Sequence, residues 1–564
     1  MSRVMKAVPF VALCAFIVAV PSLWANWVQD GVALCTTMKN QEYPQIVSDG
    51  AGGAIVTWLD SRSPDAYDIY AQRVSASGAV QWTANGVALC TAPWGQTRPR
   101  LASDGAGGAI VVWEDFRMGN YDAYNDIYAQ RVDASGAVQW TADGVALCTA
   151  TGDQTWPEIT SDGADGAIVA WYDKRSGNYD IYAQRVNALG IVQWTADGLA
   201  LCTTTEYQAN PQITPDGVGG AIVAWTDYRG GKYNIYAQRV SASGAVQWTV
   251  DGVALCTSTE YQGIQQITSD GASGAIVTWT DQRSGNYDIY AQRVNASGAV
   301  QWTADGVAIS TATGDQYYSQ STPDGAGGAI VAWPDGRSGN YDIYAQRVNA
   351  SGAVQWTADG VALCAATNTQ LYSQITSDGA GGAIVTWHDY RSGNYDIYAQ
   401  RVNASGAVQW TSDGVALCTV TGDQHYPAIT SDGASGAIVT WYDYRLFGNY
   451  DIYAQRVDAN GFAVLTAADE PPAPVELHQN YPNPFNPATT LTYSVLEKCN
   501  VTLKIYDISG TCIASLVDGQ REKGSYAVEW NGKDEKGNSL ASGIYLCKLA
   551  AGDQTISKKM VLLR

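Results

Sequence analysis

Residues Gln266 to Ala308 read QITSDGASGAIVTWTDQRSGNYDIYAQRVNASGAVQWTADGVA, and this stretch decides the fold. No apolar spacing in it fits a helix. Gly274-Ala-Ile-Val-Thr-Trp279 and Asp288-Ile-Tyr-Ala-Gln-Arg-Val294 are strand-like runs. Gln266-Ile-Thr268 and, just upstream, Val253-Ala-Leu-Cys-Thr257 are shorter candidates. Ser-Asp-Gly-Ala-Ser-Gly, Arg-Ser-Gly-Asn and Asn-Ala-Ser-Gly separate them, and these are turn sequences. Four short strands with tight turns make one small antiparallel sheet.

The unit recurs at a period of about 54 residues, in the range of solenoids, propellers and arrays. One tryptophan marks it at Trp27, Trp82, Trp140, Trp194, Trp248, Trp302, Trp356 and Trp410. A second marks it at Trp58, Trp113, Trp171, Trp225, Trp279, Trp333, Trp387 and Trp441. The phase of the repeat is informative. The chain enters at Trp27 with a last strand, Gly31-Val-Ala-Leu-Cys35, before any first strand. It leaves the pattern near Val457 after a third strand, with no tryptophan and fourth strand following. A ring whose N-terminal strand completes the final blade needs this offset, whereas an open solenoid wants polar caps at both ends. Residues 26–464 therefore read as an all-β, eight-bladed β-propeller closed by its N-terminal strand. A row of tandem sandwiches is the alternative.

The composition agrees. The chain has 564 residues, is 46% hydrophobic and 15% charged, and carries Gly 58, Trp 20 and Tyr 34 against Phe 6. A formal net charge of −21 argues against nucleic acid or anionic lipid as a partner. Three histidines are too few for a multi-histidine metal site in each repeat. Residues 1–25 read as a signal peptide: Arg3 and Lys6 precede an apolar run from Val8 to Val20, with Ala25 at a plausible cleavage point. No other run is long and apolar enough to be a transmembrane segment. The expected destination is secretion or the outer cell surface, by way of the periplasm.

Most repeated residues have structural readings. The aspartates of the Ser-Asp-Gly or Pro-Asp-Gly turns, such as Asp49 and Asp270, are expected at positive φ. The Asp-x-Arg pairs, such as Asp281 and Arg283, are expected to tie strands or blades together, and both tryptophan series to pack between blades. Cys35, Cys90, Cys148, Cys202, Cys256, Cys364 and Cys418 share one repeat position, with Ser310 in the remaining copy. An odd set placed radially cannot pair, so buried free thiols are expected. No Asp-x-Asp-x-Asp-Gly loop occurs, so no calcium, other metal or cofactor is expected. Asn295, Asn349 and Asn403 stand in Asn-x-Ser sequons, which matter in a glycosylating host.

The copies differ mainly where strand four leads to the next strand one. A glutamine there is followed by Glu42-Tyr43, Thr97-Arg98, Thr155-Trp156, Ala209-Asn210, Gly263-Ile264, Tyr317-Tyr318, Leu371-Tyr372 or His425-Tyr426. Read as a connection, this segment ends near the central channel. Tyr43, Arg98, Trp156, Tyr317, Tyr318, Tyr372, His425 and Tyr426 are the candidate ligand-binding residues, for a glycan or a protein. Neutral drift in exposed loops is the competing reading.

After Val464 the composition shifts. Residues 465–475, with Asp469-Glu-Pro-Pro-Ala-Pro474, form a stiff linker. Residues 476–564 hold six or seven alternating runs, enough for a small immunoglobulin-like sandwich. NYPNPFNPATTLTY (480–493), GSYAVEWNGKDEKGNSLASGIYLCKLAAG (524–552) and KKMVLLR (558–564) follow in order. Together they resemble the type A C-terminal sorting domain of the type IX secretion system, which is related in fold to the Ig-like part of flagellar hook-capping proteins. The resemblance implies that residues 476–564 engage secretion machinery and direct a periplasmic cargo across the outer membrane. The module is then cleaved or the cargo is retained at the surface. Cys499, Cys512 and Cys547 are unpaired on paper. The repeats also resemble those of uncharacterised secreted bacterial proteins, which names no activity.

An enzyme on near-identical blades must break the symmetry with unique catalytic groups. No blade carries an extra acid cluster, and no Ser-His-Asp order or phosphate loop occurs. The expectation is a binding or interaction propeller without catalytic residues. A carbohydrate-active hydrolase or lyase, sialidase-like, is the alternative, and a purely structural surface component a third.

Overall fold

The computed structural model describes residues 27–463 and 475–564, apart from 64–65, 118–123, 446–447, 478–479, 481, 496–497, 508–510 and 552–553. The proposed signal peptide and nearly all of the linker lie outside the described residues. The chain divides at Val464 into two compact units.

The first unit is all-β, built of four-stranded antiparallel sheets. Blade one comprises Gln41–Ser48, Ala54–Asp60, Asp68–Val74 and Val87–Cys90. Seven of the sheets are consecutive in sequence. The eighth joins Gln424–Ser431, Ala437–Asp443 and Asp451–Val457 to the N-terminal strand Val32–Cys35. That strand pairs antiparallel, Val32 opposite Ala454 and Cys35 opposite Ile452. Each first strand touches the first strand of the next blade, and that of blade eight touches that of blade one.

Every residue of every second strand is buried, which is why Ala-Ile-Val-Thr-Trp runs apolar without alternating. Neighbouring blades cover both of its faces. One cluster joins Ile55, Ile69 and Leu89 of blade one to Val111, Trp113 and Val132 of blade two. The core thus lies between blades. Gly86, at φ +89, shows how tight this packing is: a Cβ there would sit 2.6 Å from Cη2 of Trp58.

The polar repeat residues hold the blades in place. Trp58 Nε1 donates to Asp60 Oδ2 at 2.9 Å, and Arg62 pairs with the same carboxylate. The Arg62 guanidinium also donates to the Asn85 carbonyl and reaches Cys35 of the adjacent blade. It lies 3.7 Å from the centre of the Tyr70 ring. The tryptophan before strand four spans the junction, as Trp82 Nε1 donates to the Ala134 carbonyl of the next blade. Trp27 does the same to Ala76, across the closing junction.

The turn aspartates differ from expectation. Asp49 is not at positive φ. Its Oδ1 accepts from the N–H groups of Ala51 and Gly53, and its Oδ2 pairs with Arg73 at 2.8 Å. The positive φ falls on Gly50. The aspartates before strand four, including Asp30, Asp143 and Asp305, are left-handed, as is Asp165 in the first turn of blade three. Asp143 Oδ1 accepts the N–H of Thr91 from the preceding blade. A short polar side chain tolerates that backbone and uses it to bridge blades.

The second unit is a two-sheet sandwich. Val475–Leu477, Thr489–Val495 and Gly524–Trp530 form one sheet. Cys512–Arg521, Cys499–Tyr506, Gly543–Ala551 and Gln554–Leu562 form the other. All three quoted motifs meet here. Phe485 is buried against Trp530, its N–H donates to the Val561 carbonyl, and its carbonyl accepts from Leu563. Asn483 Oδ1 accepts from the Val561 N–H. Cys547 is buried and Cys512 exposed.

Candidate functional site at the channel mouth

The variable residues do not form a loop. In seven blades they lie inside strand one itself, and in blade six they precede the strand at Gln320–Pro323. The strand begins with a buried glutamine such as Gln41, whose Nε2 donates to the Lys39 carbonyl. A bulge follows, seen as the register shift between Glu42 and Gln45. The second variable residue takes a left-handed backbone in every blade: Tyr43, Arg98, Trp156, Asn210, Ile264, Tyr318, Tyr372 and Tyr426 all have φ between 49 and 54. For non-glycine residues this is strained, and for β-branched Ile264 most of all.

The bulge splits each variable pair. The first member turns toward strand two of its own blade, as Glu42 faces Leu59 and His425 faces Tyr442 in register. Of the second members, Tyr43, Tyr372 and Tyr426 reach the central cavity. Tyr317 and His425, grouped above with the rest, belong to the first set. His425 is part-buried, 5.0 Å from the Tyr395 ring and 5.6 Å from that of Tyr442. Burial lowers its pKa, against a partial pull from Asp423. Tyr317 packs 5.1 Å from Tyr341.

The second members make an arc. Tyr318, Tyr372, Tyr426 and Tyr43 come from four successive blades. Their centroids lie 6.4 Å, 4.5 Å and 5.6 Å apart in that order. Tyr43, Tyr318 and Tyr372 are exposed. Tyr43, Tyr372 and Tyr426 border a central cavity of about 390 Å³. Arg98 continues the set differently, 4.1 Å over the Trp156 ring and paired with buried Glu114 at 2.9 Å. Glu114 also accepts from the Trp156 N–H.

Below the arc, each blade gives the cavity one side chain that sequence reading missed: Gln45, Arg100, Glu158, Gln212, Gln266, Gln320, Gln374 and Ala428. Arg100 pairs with Glu158 at 3.0 Å. Burial pushes the Glu158 carboxyl up, and Arg100 and Gln212 draw it down. The signal was available, because a glutamine recurs at this position in five copies and charges replace it in two, Arg100 and Glu158.

Comparison with known proteins bears first on the second unit. Residues 489–555 match the FlgD Ig-like domain. A TolB protein homolog of Chlorobaculum tepidum is 26% identical over 122 residues, covering 20% of this chain and 26% of that protein. The chain thus spans about a quarter of the curated relative it matches. Among solved structures, an α-L-arabinanase of Penicillium chrysogenum has a TM-score of 0.31 at 15% identity, covering 57% of this chain and 98% of its own. PorZ, a surface component of the type IX secretion system of Porphyromonas gingivalis, has a TM-score of 0.22 at 12% identity, covering 94% of this chain and 82% of its own.

Proposed function

We propose that this is an exported binding protein whose propeller takes carbohydrate chains across the tyrosine arc at one mouth of its channel. The arc from Tyr318 to Tyr43 carries the reading, with four adjacent aromatic faces on a rigid scaffold. Sugar rings stack on such faces, and amides such as Gln374 below them suit hydroxyl groups. Binding is favoured over hydrolysis for a geometric reason. Glycosidases use two carboxyl groups roughly 5–10 Å apart. Among the described residues that line the cavity, Glu158 is the one carboxylate, and Arg100 holds it.

Residues 476–564 would carry the protein through type IX machinery, after export by residues 1–25. Support comes from the Ig-like match and from Asn483 and Phe485, which fix the closing KKMVLLR strand. Fusing 476–564 to a periplasmic reporter in a type IX-competent bacterium tests this: the reporter should reach the surface or medium, and retention in the periplasm would refute it. Binding is tested on a glycan array and by calorimetry, beside a glycosidase screen. Tyr43→Ala and Tyr372→Ala should each weaken binding by about 1–3 kcal/mol with the fold intact. Turnover of any glycan would move the assignment to an enzyme. Full affinity in both variants would remove the arc from the site.

A further inference from the structure

A second cavity, of about 250 Å³, lies between blades five and six, lined by Tyr261, Ile264, Thr280, Tyr287, Tyr317 and Tyr318. A small residue on strand two, Thr280, leaves it open, while Gly263 makes room for the Tyr261 ring that forms one wall. Gly263 stands opposite Thr280 in the ladder of blade five. At the same register, blade three pairs Thr155 with Tyr172, blade seven Leu371 with His388, and blade eight His425 with Tyr442. Those rings are buried and fill their junctions. Blade five has Thr280 instead; blade four also has a threonine there, Thr226, but its hydroxyl donates to Gln265.

The walls are aromatic and mutually perpendicular. Tyr261 and Tyr287 meet at 85° with centroids 6.1 Å apart, and Tyr317 and Tyr318 at 83° and 4.9 Å. At the base, Thr280 is fully buried and its Oγ1 has no hydrogen-bond partner. A buried hydroxyl without a partner is costly, and it gives a ligand one polar anchor. No lysine or arginine lines the cavity. Asp315, which accepts the Tyr287 N–H at 3.2 Å, adds negative charge beside it. The net charge of −21 favours a cation further.

We propose that this cage binds a methylated ammonium head group, of the choline or trimethylammonium class. Four tyrosine rings around the cavity offer π density to a diffuse positive charge, and about 250 Å³ admits a head group of that class. The site is independent of the proposed glycan arc, although Tyr318 borders both.

The test uses the full chain, titrated by calorimetry with tetramethylammonium chloride, choline and the uncharged isostere 3,3-dimethylbutan-1-ol. Choline should bind saturably, and the isostere about tenfold more weakly or worse. Thr280→Tyr, which installs the side chain of blades three and eight, should abolish binding. Tyr287→Leu, which keeps an apolar wall without its π face, should weaken it about tenfold. The second variant decides the matter if the first is unstable. Equal affinity for choline and its isostere, unchanged binding in folded variants, or no saturation by either cation at millimolar concentration would overturn the proposal.

Discussion

Asp126 opens strand three of blade two, where burial and the neighbouring Asp115 carboxylate push its own carboxyl up to about 7. An acid raised in this way costs stability once the pH exceeds its unfolded value of about 4, and the cost grows until the folded value is passed. Blade four carries Asn234 at this position, its amide donating to the carbonyls of Arg229 and Lys232. Asp126→Asn should therefore stabilise the protein by about 1–2 kcal/mol at pH 8 and change little at pH 4. Denaturant titration at both pH values checks this, and an equal effect at each would contradict it. The propeller thiols make a second case. Burial pushes Cys256 up to about 12, and Arg283 Nη2 lies 3.2 Å from its sulfur. Such thiols should resist alkylation in the folded chain, while exposed Cys512 reacts first. Rapid labelling of the propeller set would refute the packing role. The cysteine burial was legible from one-per-repeat spacing. The turn aspartates were misread because two turns per blade carry an Asp-Gly, and sequence alone does not say which one bends to the left-handed side.

At the scale of the strand, the bulge in strand one was the feature sequence hid. Pro44, Pro99, Pro157, Pro211 and Pro427 follow the variable pairs, and a proline in an inner strand argues against a strand. The structure resolves the conflict by breaking the ladder there, between Glu42 and Gln45 in blade one. The variable pair was therefore recognised but assigned to a connection, and its two members were taken to share one face. The first members pack on other rings, so Tyr317 and His425 fall outside the four-ring arc although Tyr317 stays against Tyr318, and the cavity side chains from Gln45 to Gln374 went unread. The strain of the bulge is testable. Ile264 holds φ 53, while Asn210 holds 54 in blade four. Asparagine tolerates that region far better than isoleucine. Ile264→Asn should raise stability by about 1 kcal/mol, read as a higher denaturant midpoint with an unchanged slope. A lower midpoint would show that the side chain's packing outweighs its backbone strain.

Across the whole molecule, the repeat offset made the architecture legible before any coordinates, because the missing strand at one end matches the extra strand at the other. The cage between blades five and six was not legible. It depends on what Thr280 fails to fill, and absent volume has no sequence pattern of its own. Closure itself makes a prediction. Trp27 bonds across the junction to Ala76, Gln455 donates to the Val28 carbonyl, and Arg445 to that of Asp30. Deleting residues 27–36 removes these bonds and bares the edge of Asp451–Val457. The variant should aggregate by edge pairing. A monomeric, fully cooperative deletion variant would show that the ring does not depend on its last strand. The same junction sets an order on vectorial synthesis. Val32–Cys35 is made first but has no partner until Asp451–Val457 follows, so every truncated chain keeps an open edge. The loop-closure entropy for that span is paid once, at the end. A closed ring is thus a molecular certificate that translation of the propeller ran to completion.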